Sequence, residues 1–594
     1  MASDQDESRP DPGPRGEGAP GEPGAVAADA PPSPGLPAAA GGEDGPAADL
    51  GRPVLVVLAA FALALLLLTK DAPVSWADAS RLGTIQALVE TGSLELTEDN
   101  AFFWQGDKLL LDGRFYSHQP PMLALAGALP YGLFRALGGA ITDPWVYRGL
   151  TLTLVGLPLL LGLGAMARLL RRHGAGPGWT AALVAAAAFG TLALPYALVL
   201  NQHGAAAGLV LLAIGAVDRD RPMVAGLLLA LATTVDLTAV FLALGLAVPL
   251  VWRASASGTG ALRLDRLVPY GLGALPVLAL HFGVTHAVSG GLLPLGLRTE
   301  GFVYPLSPFL FMSLTGGGEA GPDGSGLAYA TGALFGQSGL FSHHPVLLWA
   351  LVVGAAALTV PRARPLALGL LLGSAGIAAY YLTQSRNFGG SSFGMRWFTV
   401  FAPALLVLPG LAVGAGRRPG PLTFAGLALW SALAAGLGAA QPWAKFHYRY
   451  EDSPRGLVAR PGDPRPSRVA HWKDEWRRVT TLEGDFTRKG FDDLYQKLMD
   501  QHQRLYLGDY PGVPEDELRA WVLDGLSTLQ HAVDLLDRDN ATAASRTVGH
   551  FWLGRFHQRL GDRSAARRSY ETALALDPGY VWAEQALHKL GHDR

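Results

Sequence analysis

Residues 53–69 read PVLVVLAAFALALLLLT, an uncharged apolar run close to the roughly 20 residues a helix needs to cross a bilayer. Runs of the same character recur at 147–167, 179–200, 204–217, 223–235, 237–251, 267–288, 345–360, 366–383, 398–415 and 422–440. Several are joined by only a few residues. The chain is 49% hydrophobic and only 16% charged, and its apolar excess is concentrated in these segments rather than spread evenly. The expectation is an all-α fold: a polytopic transmembrane bundle of about eleven helices spanning residues 51–441. Some runs fall short of a full span, as half-helices or hairpins with tips in the membrane would.

Residues 1 to about 50 are dense in Pro, Gly, Ala, Asp and Glu, too poor in large apolar residues to offset chain entropy, and read as a disordered tail. They lack the basic stretch running directly into a short apolar core that marks a signal peptide, so 53–69 reads as a retained first helix. Basic residues assign the sides. Arg168, Arg171 and Arg172; Arg219 and Arg221; Arg253, Arg263 and Arg266; Arg362 and Arg364; and Arg417 and Arg418 occupy every second connection. The alternate connections, longer in total, hold fewer cations. Because Lys and Arg resist translocation, the arginine-rich connections and the tail are expected in the cytoplasm. The loops at 70–146 and 289–344, the tips at Asn201–His203 and Asp236, the segment 384–397 and residues 442–594 then face outward. If 223–251 were a single tilted helix, everything after it would invert.

After Gln441 the composition turns charged and aromatic, with 442–470 a linker and 471–594 a soluble helical domain. Its segment LGRFHQRLGDRSAARRSYETALALDP (553–578) sets Leu553, Gly554, Gly561, Ala566, Tyr570, Ala573 and Pro578 at tetratricopeptide-repeat spacings, placing a repeat at about 547–580. One repeat needs neighbours to cover its apolar faces, and helices near 515–537 and 580–591 could supply them. Such a domain either docks a protein partner or packs as a cap on the membrane domain.

Composition excludes some chemistry. With no cysteine there are no disulfides, thiolate metal sites or cysteine nucleophiles. A net charge of −2 and the lack of a Walker or dinucleotide sequence give no reason to expect nucleic acid or a nucleotide.

The first long loop gathers Asp78, Arg81, Asp107, Lys108, Tyr116 and His118 just after a membrane helix, with Ile85–Val89 reading as an interfacial amphipathic helix before a turn at Gly92. Asp78 is either a proton acceptor or the N-cap of a helix starting near Ser80. Arg81 and Lys108 either hold an anion, snorkel, or pair with Asp107. Arg396 follows a glycine-rich stretch in which Gly389, Gly390 and Gly394 permit close approach of a ligand. His203 and Asp236 interrupt apolar runs, as functional groups or as wet tips of tight turns. His343 and His344 begin another helix, but too few histidines lie nearby to suggest a metal.

These motifs, Ser80-Arg81, Leu88–Ser93, Asp107-Lys108, Asp112–Pro121, NQH at 201–203, Asp236, GLFSHHPVLL at 339–348 and GGSSFGMRWF at 389–398, resemble the C-type superfamily of polytopic glycosyltransferases. That superfamily includes the protein O-mannosyltransferase and aminoarabinose transferase branches, and the likeness is to bacterial members. The resemblance implies transfer of a sugar from a polyprenyl-phosphate carrier in the inner membrane to an outward-facing lipid, glycan or protein. It implies a base among Asp78, Asp107 and Asp236, with Arg81, Lys108, Tyr116, His118, His203 and Arg396 binding substrate. The chain differs in carrying a lone Asp78 where relatives have Asp-Glu, and His118-Gln119 where they have Asp-Lys. No cofactor is expected: a divalent metal is compatible with the reaction but unsupported by the sequence, since a monophosphate donor can be neutralised by Arg and Lys alone. Two other roles are open. A transporter would show internal repeats and polar groups at the bilayer midplane, neither of which is visible. A non-catalytic scaffold displaying the repeat domain would need no catalytic carboxylate.

Overall fold

The structure is a computed structural model that describes residues 50–443 and 543–592, apart from 98, 104–106, 112–113, 255–259, 299–325, 337, 386–387, 390–391 and 418, with scattered residues between 523 and 537. The tail, the linker, Gly390 and most of the helix expected near 515–537 lie outside the described residues.

The chain is predominantly helical, with two small antiparallel sheets among the described residues. Helices α1 (Arg52–Leu68), α2 (Trp76–Glu90) and α3 (Pro121–Ala136) precede α4 (Pro144–Thr151), which runs through a π turn into α5 (Leu157–Arg172). There follow α6 (Pro177–Phe189), α7 (Ala193–Ala197), α8 (Gln202–Asp218), α9 (Pro222–Val235), α10 (Val240–Val251) and α11 (Leu267–Ser289). Beyond these lie α12 (Gly326–Phe335), α13 (Leu340–His343), α14 (Pro345–Gly354), α15 (Arg364–Gln384), α16 (Val407–Gly414) and α17 (Pro421–Ala440).

Each apolar run is at least partly helical, but among the described residues only four helical stretches are long and apolar enough to cross a membrane: Pro144–Arg172, Leu264–Ser289, Arg364–Gln384 and Pro421–Ala440. A fifth is obtained if the bent pair Tyr329–His343 and Pro345–Thr359 counts as one. The others are shorter because the backbone breaks inside them. The run 179–200 breaks after Phe189, resumes only as the short α7, and ends in Leu198–Leu200, non-helical yet fully buried. Irregular backbone at such depth is tolerated only where protein surrounds it. On the periphery, large apolar side chains face outward, among them Val268, Leu272, Leu275 and Leu280 along α11. Such a continuous apolar surface is what lipid, rather than water, accommodates.

Glycine brings the helices together. A Cβ added to Gly208 of α8 would lie 2.4 Å from the backbone of Pro158 in α5, and one on Gly245 of α10 would lie 2.3 Å from the carbonyl of Gly369 in α15. Close crossings of this kind replace hydrophobic drive with van der Waals contact between backbones.

Contacts also fix the path of the chain. Arg172 and His173 share Asp218, Asp220 takes Arg263 at 3.1 Å and Arg266 at 3.0 Å, and Arg417 reaches Thr359, so the first three of these arginine-bearing connections are tied together, as are the last two. Since Asp220 precedes α9 and Arg263 follows α10, the chain between them leaves one end of the bundle and returns to it, turning at Asp236. The segment 223–251 is therefore two helices, not one tilted helix.

Near the C-terminus, α18 (Ala543–Arg559), α19 (Arg563–Leu576) and α20 (Val581–His592) share a core of their own built on Phe551, Trp552, Phe556, Tyr570 and Tyr580. Gly554 admits the Tyr570 ring, Gly561 closes α18 at φ 82°, and Asp562 caps α19 by accepting from the Ala565 N–H at 2.9 Å.

Candidate active site

The first long loop is folded rather than draped on a surface. Ser75 caps α2 by accepting from the Asp78 N–H at 3.1 Å, so Asp78 sits in the first turn and is not itself the cap. Residues Ala77–Ala87 are buried on every side of α2, against α3 and a sheet of order β1-β3-β2, where β1 is Glu95–Leu96, β2 Lys108–Leu111 and β3 Arg114–Ser117. The interfacial amphipathic helix expected at Ile85–Val89 is thus the buried end of α2, emerging only near Glu90; the turn at Gly92 is present, with φ 68°. Ser80 ties helix to sheet, its Oγ donating to the Asp107 carbonyl at 2.6 Å and lying 2.6 Å from the Ser117 hydroxyl.

Within this frame Asp78 is wholly buried. Its Oδ2 accepts from the Tyr147 hydroxyl at 3.2 Å, Arg81 Nη1 lies 3.8 Å from Oδ1, and Oδ1 accepts no hydrogen bond. Burial pushes the carboxyl up to about 6, against the opposing pull of Arg81, Ser75 and Tyr147. Arg81 is equally buried: Nη1 donates to the Leu200 carbonyl at 3.0 Å and Nη2 to Gln119 and Gln202, while Nε has no partner. Burial lowers its guanidinium to about 10, with Asp78 and Asp107 acting the other way.

Asp107 does not bond Arg81 directly. Gln119 stands between them, accepting from Arg81 and donating to Asp107 Oδ2 at 3.1 Å. His118 Nδ1 lies 3.8 Å from the same oxygen, and burial holds its imidazole below the ordinary histidine value. Lys108 departs from expectation: its ammonium donates to the Phe103 carbonyl at 2.7 Å and lies 3.7 Å from the Phe103 ring centroid, caged within the loop rather than presented to an anion.

The two polar tips are neither wet nor separate. His203, 3% exposed, and Asp236, 4% exposed, bond each other through Nδ1 and Oδ2. Asn201 caps α8 by accepting from the His203 N–H at 2.8 Å, and Asp236 Oδ1 accepts from the Thr238 hydroxyl at 2.8 Å. Arg396 opens a 3-10 turn, its guanidinium 4.7 Å from the Trp443 ring. Gly389 and Gly394 beside it adopt φ of 94° and 60°, which glycine alone takes readily. The charge of Arg396 acts on Arg81, His118 and His203, which places it in their neighbourhood. His343 and His344 pack on Phe393, and among the described residues no three His, Asp or Glu side chains converge as metal ligands would.

A small, partly open cleft is lined by Arg81, Tyr116, Gln119, Pro121, Val288 and Leu295 among others, and meets this region at Arg81. Arg81 borders it and Asp78 lies one layer behind. Chemically, the arrangement pairs a carboxyl able to take a proton near neutral pH with guanidinium groups able to hold an anion, beside apolar walls. Sequence reading missed Tyr147 and gave Gln202 no role of its own within the NQH stretch, because their partners lie far off in the chain. It also missed the β2–β3 hairpin, although Asp112-Gly113 between KLLL and RFYS is a hairpin signal. No family model, curated protein or solved structure matches this chain.

Proposed function

We propose that the chain is a multi-pass membrane transferase of the C-type glycosyltransferase class, moving a sugar from a polyprenyl-phosphate carrier to an outward-facing acceptor. In this reading the apolar runs are eleven spans or half-spans of the inner membrane, the tail is cytoplasmic, and the C-terminal helices form a repeat domain outside. The observation that carries it is the buried Asp78–Arg81 pair: a carboxyl raised to about 6, with one oxygen unbonded, held against an arginine that borders the cleft.

The acceptor hydroxyl attacks the anomeric carbon, forming the new C–O bond as the bond to the phosphate oxygen breaks. Asp78 takes the hydroxyl proton, and the electron pair leaves with the lipid phosphate, stabilised by Arg81 and Arg396. Asp107, through Gln119, keeps Arg81 aligned; His118 and Tyr116 line the acceptor side. The His203–Asp236 pair fixes the start of α8, from which Gln202 meets Arg81.

Membranes containing the chain should transfer labelled sugar from a polyprenyl-phosphate donor to extracted acceptors. Absence of transfer across a broad donor panel would favour a scaffold that displays the C-terminal helices. Topology is tested independently, and the cysteine-free sequence makes this direct. On intact cells an impermeant maleimide is expected to label Arg114→Cys and leave Asp265→Cys unmodified until the cells are opened; the reverse pattern would invert the topology.

A further inference from the structure

Away from the cleft, the turn between α8 and α9 gathers more cations than its two carboxylates engage among the described residues. Asp218 is engaged by Arg172 and by His173 at 2.7 Å, and Asp220 by Arg263 and Arg266. Arg168, Arg219, Arg221 and Arg362 are exposed and form no ion pair with a carboxylate among the described residues. Geometry brings three of them to one place: Arg168 lies one turn before Arg172 on α5, and Arg172 bonds Asp218, the chain neighbour of Arg219, with Arg221 two residues on. Partial burial and the charges of Arg172, Arg168 and Arg221 together hold the Arg219 guanidinium below its ordinary value. Arg362 in turn acts on Asp218.

Solvation alone could satisfy exposed arginines, but these adjoin apolar surface. On α5, Leu157 and Leu161 are about half exposed, and Leu161 lies seven residues before Arg168, on the same helical face. On α9, Arg221 is followed at once by outward-facing Met223, Val224 and Leu227. An anion meeting these guanidinium groups therefore lies at the edge of an apolar belt, where acyl chains would run.

We infer that Arg168, Arg219 and Arg221 form a binding site for the phosphate headgroup of an anionic phospholipid, whose chains lie along the exposed faces of α5 and α9. Guanidinium forks suit phosphate oxygens, and cations at the membrane edge favour anionic over zwitterionic lipid. The inference rests on the membrane reading and is independent of the transferase reading.

The test places the full-length chain in phosphatidylcholine bilayers carrying spin-labelled phosphatidylglycerol or spin-labelled phosphatidylcholine, and measures the immobilised fraction of each. Wild type should select phosphatidylglycerol, and the triple variant Arg168→Gln/Arg219→Gln/Arg221→Gln should lose that selectivity by about tenfold. Arg114→Gln, in the first loop, should keep it. Arg219→Gln alone, at an exposed position, should lose about threefold and serves if the triple variant fails to reconstitute. Unchanged selectivity in the triple or single variant would overturn the site. Release of the labelled lipid by soluble glycerophosphate would overturn it in favour of a water-borne phosphate ligand. A chain that does not enter the bilayer would overturn the membrane reading with it.

Discussion

Asp78→Asn is expected to lower sugar transfer by about 10²- to 10⁴-fold, the usual worth of a positioned general base, at wild-type levels of folded protein. Three carboxylates could serve, and their bonding separates them. Asp236 has one oxygen on His203 and the other on Thr238, and Asp107 Oδ2 takes the Gln119 amide. Asp78 alone among the three combines full burial with an oxygen free of hydrogen bonds and a carboxyl raised to about 6. A base must be ionised, so transfer by wild type should rise with pH through about 6 and level off above it, and that limb should vanish from the residual activity of the variant. Full activity in Asp78→Asn would move the base to Asp107 or Asp236. Stability should respond in the opposite sense. The folded carboxyl holds its proton more tightly than the unfolded one, whose value is 3.8. The contribution is therefore complete below about 4 and is lost as pH rises through about 6, a change on the order of 3 kcal/mol. Thermal unfolding in detergent across that window reads it, and Asp78→Asn should flatten it.

Much of this arrangement is visible in the sequence because it is written in short-range patterns. Apolar runs give the helices, and arginines in alternate connections mark the turns that Asp218 and Asp220 then tie together. The glycines around Arg396 announce backbone that only glycine adopts. Helix length was harder to read, since Leu198–Leu200 is as apolar as any span yet is not helical. Hydropathy reports burial, and burial inside protein looks the same as burial in lipid. Partner choice was invisible: Lys108 looked available to an anion, but the Phe103 and Phe115 rings that enclose it come together only when the loop folds. His203 and Asp236, 33 residues apart, are likewise joined only by the packing of α8 against α9.

Arg81→Gln should destabilise the folded chain by about 3–5 kcal/mol, because it removes one partner of a buried charge pair and leaves the other uncompensated. Arg81 also satisfies Leu200, Gln119 and Gln202, so its loss loosens the join between α2, the sheet and the start of α8. Without the guanidinium the Asp78 carboxyl rises further, since Arg81 is the largest influence holding it down. Any residual transfer should therefore rise with pH at a value above 6. A structural role alone would lower the amount of folded protein without moving that limb, which makes the pH profile the informative readout. The double variant Asp78→Asn/Arg81→Gln buries neither charge and should recover part of the lost thermal stability while remaining inactive. If Arg81→Gln unfolds at the wild-type temperature and keeps the limb near 6, the two residues are not coupled, and the leaving phosphate must be sought at Arg396 instead.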